Sequence, residues 1–171
     1  MIKLFNAFFD ICLLRSGPQD LPASSFFLGM VIFANVLINI FILHISKSLG
    51  ISIITTLLGI VILVVFINLV LRFRQLPARI NQTLIALFGT DTLIGLFVLP
   101  MEAWFHQAKT AKAVASFPAS MNLLLWIWSL VVLGHILRHA LSATYATGFG
   151  FAVIYVVISL SIIKLVFPTI Q

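Results

Sequence analysis

The sequence predicts an all-α fold: a polytopic membrane helix bundle of about five transmembrane helices, preceded by an N-terminal interfacial amphipathic helix. Three observations predict it. Of 171 residues, 62% are hydrophobic and 8% charged, against roughly 25% charged in soluble domains. A water-soluble fold of this composition lacks the charges to cover its surface, and the mean hydropathy of +1.22 agrees. Second, the apolar residues gather into five continuous stretches, each at or near the ~20 residues that a helix needs to cross a bilayer. Third, these stretches do not alternate apolar and polar residues, as barrel strands do over about ten positions.

Residues 1–16 come first. Lys3, Asn6 and Asp10 fall at helical spacing and make a narrow polar stripe among Ile2, Leu4, Phe5, Phe8, Phe9, Ile11, Leu13 and Leu14. That pattern suits a helix lying in the cytoplasmic interface, and equally a helix packed under the bundle. Asp10 interrupts the apolar run and "RSGPQDLP" follows it, where a signal peptide needs a small-residue cleavage site; the stretch is expected to remain in the mature protein. Gly17 and Pro18 end it, and Pro22 with Ser24 or Ser25 opens the first span.

The spans are expected at about 26–45, 51–71, 83–100, 121–137 and 147–168. The second contains no charge, the third contains Asp91, and the fourth is short unless its flanks join it. The longest connection, "MEAWFHQAKTAKAVASFPAS", has the Ala and Lys content of a short surface helix. No linker or internal repeat divides the chain, and an odd span count disfavours the two inverted halves common in secondary transporters. Residues 1–171 therefore read as a single integral membrane domain.

Charge sets the expected orientation. With the N-terminus inside, the inner segments hold Lys3, Arg15, Arg72, Arg74, Arg79 and Arg138, and the outer ones Lys47, Lys109 and Lys112, with Lys164 inside the fifth span. This excess favours a cytoplasmic N-terminus and an outer C-terminus. Trp104, Trp126 and Trp128 fall on the outer half, where an aromatic belt places them. The localisation so read is an inner (plasma) membrane of bacterial type.

Net charge is +6, but the cations are scattered, so no nucleic-acid patch is expected. "RFRQLPAR", with Arg72, Arg74 and Arg79, is a cytoplasmic basic face suited to anionic headgroups or a cytosolic partner, each cation being worth about 1 kcal/mol near such a surface. Determining topology is its plainer role. The single cysteine, Cys12, excludes an intramolecular disulfide.

Asp91 is the most informative residue. A carboxylate in mid-span is costly and often marks a proton relay or substrate path. The plainer reading is a neutral acid hydrogen-bonded between helices. Candidate partners are Asn35 and Asn39, four apart on one face of the first span, and Asn68 near the inner end of the second. Thr90 and Thr92, which flank it, can instead bond their own backbone.

His135 and His139 also lie four apart, a spacing that can share a metal. Two ligands fall short of the three or four that such sites use, and Arg138 beside them repels a cation. No metal site and no cofactor are expected. Glu102 and His106 form a simple i, i+4 pair, and His44 stands alone. No nucleophile is paired with a base, and there is no P-loop, GxGxxG or CxxCH, so catalysis has no support. Gly148 and Ala152 form a small-xxx-small pair suited to close helix packing.

Two stretches, "RINQTLIALFGTDTLIGLFVLP" and "LLLWIWSLVVLGHILRHALSATYATGFGFAVIYVVISLSI", resemble the third, fourth and fifth spans of the Yip (Ypt-interacting protein) family and its bacterial relatives. About half the chain carries the likeness, mostly through hydropathy. "CLLRSGPQDLPAS" is similar to an uncharacterised bacterial inner-membrane family. The "DLYGP" and "GY" signatures of eukaryotic Yip members are absent, so a GTPase-binding role is not carried over and no residue transfers as a site. The resemblance implies membrane organisation or trafficking-type partner binding rather than chemistry.

The leading expectation is thus a non-enzymatic integral membrane protein that binds lipids, other membrane proteins or further copies of itself. The alternative is a small proton- or ion-coupled transporter or channel centred on Asp91.

Overall fold

The computed structural model describes residues 2–111 and 116–167. Lys112, one of the expected outer cations, and Pro168, the expected end of the fifth span, lie outside them, as does the Lys3 side chain. The architecture is all-α, with six helices: α1 (Ile2–Cys12), α2 (Ser25–His44), α3 (Leu49–Phe73), α4 (Ile80–Thr110), α5 (Ser116–Ala140) and α6 (Tyr145–Val166). The last five are long and apolar enough to cross a membrane. Among the described residues no strand occurs.

Local chemistry sets the boundaries. The Ser24 hydroxyl accepts the Phe27 amide at 3.4 Å and opens α2, and Thr144 does the same for Thr147 at α6. Helices α1, α3 and α5 all finish at one end of the bundle, on non-glycine residues in the left-handed region: Leu14, Gln75 and Ser142. Each lets the following amide reach back five residues: Arg15 to the Asp10 carbonyl, Leu76 to Leu71 and Ala143 to Arg138. These turns close the orphan carbonyls of three helices at the end that carries Arg15, Arg72, Arg74, Arg79 and Arg138. Lys47, Lys109 and Lys164 lie towards the other end.

Helix α4 is central. It packs along α2 on one side and α5 on the other, α6 packs on α5, and α1 lies against the first half of α4. The buried core runs through its middle, with Phe66, Ile67, Leu84, Ile85, Leu87 and Phe88 among its members. Outside this core the surface is apolar, with Phe26, Phe33, Phe41, Leu69 and Phe97 exposed, as lipid contact requires.

Two glycines permit close approaches between helices. A methyl at Gly89 would collide with the Phe8 ring, which stacks on Phe27 at 6.0 Å and docks α1. A methyl at Gly148 would meet the Gly134 carbonyl at 2.6 Å and the Arg138 amide at 2.7 Å, so α5 and α6 cross backbone to backbone.

The first, second and fifth spans match expectation within a few residues at both ends, and the third and fourth at one end each; two boundaries differ more. The third span was expected to stop at Pro100, but α4 continues through it to Thr110. An interior proline removes one backbone hydrogen bond without preventing the helix from resuming. The fourth span starts at Ser116, not 121. Much of the expected loop 101–120 is therefore helix. Helix α1 buries Ile11 and Cys12 against the bundle and leaves Phe5, Phe9 and Leu13 exposed on its other side.

Candidate functional site

Asp91 stands eleven residues beyond Ile80 in α4, and Asn35 ten beyond Ser25 in α2. At 1.5 Å per residue both lie about 15 Å from the basic end, near the middle of a ~30 Å hydrocarbon core. The two helices run in the same direction, so equal depth brings the side chains together. Asn35 Nδ2 donates to Asp91 Oδ2 at 2.8 Å, and Asn39 Nδ2, one turn further, donates to the same oxygen at 3.1 Å. Asn39 Nδ2 also reaches the Asn35 carbonyl at 3.0 Å, which holds it in that pose.

Among the described residues nothing donates to the other carboxylate oxygen, Oδ1. Asp91 is exposed, and it lines a cleft of ≈ 390 Å³ walled by all five long helices. The cleft reaches from the middle of the bundle towards the α2–α3 turn, with Ile42 and Leu43 on one wall and Thr55 and Thr56 on another. Both threonines are buried, and among the described residues neither hydroxyl has a hydrogen-bond partner. A buried hydroxyl without a partner costs about 1–3 kcal/mol, which makes these two groups exceptions among buried polar atoms. Tyr155 of α6, its ring 5.4 Å from Phe66, and Trp126 of α5 complete much of the wall.

This arrangement has a chemical consequence. Two amide donors satisfy Oδ2 whether the acid is charged or neutral, and they orient the group. Oδ1 is then the atom on which a proton, a cation or a hydrogen-bond donor can sit. Among the described residues no cation lines the cleft; Arg138 and Lys164 lie outside it.

The other expected residues are placed as follows. Asn68 does not line the cleft; its amide donates to the Val64 carbonyl of its own helix at 2.8 Å. Thr90 and Thr92 likewise bond back to Ala86 and Phe88, at 2.8 and 2.7 Å. Arg72 and Arg74 are exposed at the end of α3. Arg79 turns away from them: its Nη1 donates to the Ala140 carbonyl at 3.1 Å and the Ser142 hydroxyl at 2.6 Å, closing the end of α5.

His135 and His139 do share a face, with rings 4.6 Å apart. His135 Nε2 lies 2.9 Å from the Ser16 carbonyl; a carbonyl only accepts, so that nitrogen carries the hydrogen. Among the described residues no group of three or more His, Cys, Asp or Glu side chains gathers as a metal site. Glu102 accepts from Asn122 of α5 at 3.0 Å.

Thr55, Thr56 and Tyr155 escaped the sequence reading. Threonines in apolar helices ordinarily bond their own backbone, and only the distance from α3 to its neighbours reveals that these two face a cleft. No family model matches the sequence, and no curated protein or solved structure matches it.

Proposed function

We propose that the protein is a non-enzymatic integral membrane protein that binds and passes a proton or small cation at Asp91, as a small transporter or channel. The observation that carries this reading is an exposed mid-membrane carboxyl, Asp91, lining a cleft beside two buried hydroxyls that have no partner among the described residues. An acid serving only as packing glue would have both oxygens enclosed between helices. The basic end, with Arg15, Arg72, Arg74, Arg79 and Arg138, supports placing that end of the bundle on the cytoplasmic side by the positive-inside rule, in a bacterial plasma membrane. The cleft then extends from mid-membrane into the outer half of the bundle.

The test is flux in proteoliposomes holding a pH-sensitive dye, under an imposed membrane potential. Wild type is expected to carry protons above protein-free vesicles, and Asp91→Asn, equally folded by gel filtration, to fall to background. Equal flux from the two, or none from wild type with protons or alkali cations, overturns the reading.

A second reading, membrane organisation of the kind the Yip resemblance implies, is favoured by α6. Its window of apolar residues is only 6% buried, and Val153, Ile154, Val157 and Ile158 are exposed along it. Lipid, a partner's helix or another copy can cover that face. Crosslinking in native membranes followed by mass spectrometry tests it: a stoichiometric partner on α6 supports this role.

A further inference from the structure

The basic end contains a second concavity, ≈ 610 Å³, between the start of α4, the end of α5 and the start of α6. Two guanidiniums, Arg79 and Arg138, line it together with the His139 imidazole. Both arginines are held in place by neutral groups. Arg79 is anchored on the Ala140 carbonyl and the Ser142 hydroxyl. Arg138 lies over the Tyr145 ring, 3.8 Å from its centroid, with Nη2 at 3.2 Å from His139 Nε2.

Such contacts fix a guanidinium's position without cancelling its charge, and each leaves donor nitrogens unused. Asp20 does not line the pocket, and one of its oxygens accepts the Gly17 amide at 3.0 Å. Gln19, Gln82 and Thr144 add neutral donors around the wall. Two pre-positioned arginine forks in one concavity match the tetrahedral, multiply accepting oxygens of a phosphoryl group. The pocket also sits at a bundle end, the level at which lipid phosphates stand.

We infer that this concavity is a phosphoryl-binding site, with Arg79 and Arg138 as its cationic walls. The source of the phosphoryl group is a phospholipid headgroup or a free phosphate. The site is independent of Asp91 and of the reading attached to it.

The experiment uses delipidated full-length protein in detergent, with bound species counted by native mass spectrometry and stability followed by thermal unfolding. The probes are dioleoyl phosphatidylglycerol, dioleoylglycerol (the same chains without phosphate) and inorganic phosphate at matched ionic strength. Wild type is expected to hold one phosphatidylglycerol in preference to dioleoylglycerol, or to be stabilised by inorganic phosphate. The first result identifies a headgroup site, the second a free-anion site. Arg138→Gln, which leaves the Arg79 anchors intact, is expected to weaken binding about tenfold or more. Arg15→Gln, an exposed cation at the same end, is expected to leave it unchanged. No preference by wild type for any phosphate-bearing probe overturns the site without recourse to a variant. Equal loss in Arg15→Gln overturns it too, since the binding is then general surface charge.

Discussion

Asn35 donates to Oδ2 of Asp91 at 2.8 Å and thereby ties α2 to α4 at the middle of the bundle. Removing the donor separates a structural from a functional role. Bonds to charged acceptors are worth about 1.5–3 kcal/mol in water-soluble proteins, but interhelical bonds in membranes average nearer 0.6 kcal/mol. Asn35→Ala is therefore expected to cost about 1–2 kcal/mol, because Asn39 still satisfies the same oxygen. Reversible unfolding in mixed micelles measures it.

The cleft hydroxyls predict an opposition between stability and activity. Replacing Thr55 or Thr56 with the near-isosteric Val removes a buried hydroxyl that has no partner. Each change is expected to leave stability unaltered or raise it by about 1 kcal/mol, while lowering flux through the cleft. Unfolding and proteoliposome assays on the same preparations check both halves. Lower stability with unchanged flux would make the hydroxyls structural.

How far the sequence reveals this depends on where the information lies. Five apolar runs and the i, i+4 pair Asn35/Asn39 are local patterns, and α2 and the Asn35–Asp91 contact follow from them. Pro100 misleads because a proline's usual role as a stop signal is overridden once flanking turns are packed in a long helix. Arg79 reads as one more surface cation, yet its partners are about 60 residues away at the end of α5. Thr55 and Thr56 resemble any threonines in an apolar helix, and only the tertiary gap beside α3 distinguishes them.

The α5–α6 crossing is expected to be intolerant of even one methyl. At Gly148 the nearest atoms are backbone and Cβ atoms of Gly134 and Arg138, none of which can swing aside. Gly148→Ala is expected to cost about 1–3 kcal/mol by overpacking. Gly150, with nothing near its missing Cβ, serves as the control: Gly150→Ala should be neutral or stabilising.

Cys12 offers a pH readout of how α1 docks. Burial first, and the negative charge of Asp91 second, push its thiol up from 9.0 to about 11. The raised value means that folding favours the protonated form. That contribution is complete below pH 9 and is lost as pH rises through about 11. The folded protein is expected to resist maleimide at neutral pH, and its thermal midpoint to fall across this alkaline window less steeply in Cys12→Ala than in wild type. Rapid labelling of the folded wild type at neutral pH would mean that α1 does not stay docked.

The central claim is that Asp91 is a reachable acid at mid-membrane rather than a sealed strut, and reaction with a hydrophobic carbodiimide tests it most directly. Protein in lipid nanodiscs would be treated, digested and mapped by mass spectrometry, with unfolded protein as the full-reaction reference. Modification of Asp91 in the folded state, with loss of proton flux in step, is the expected result. An Asp91 that reacts only after unfolding would contradict the claim and return the residue to a packing role.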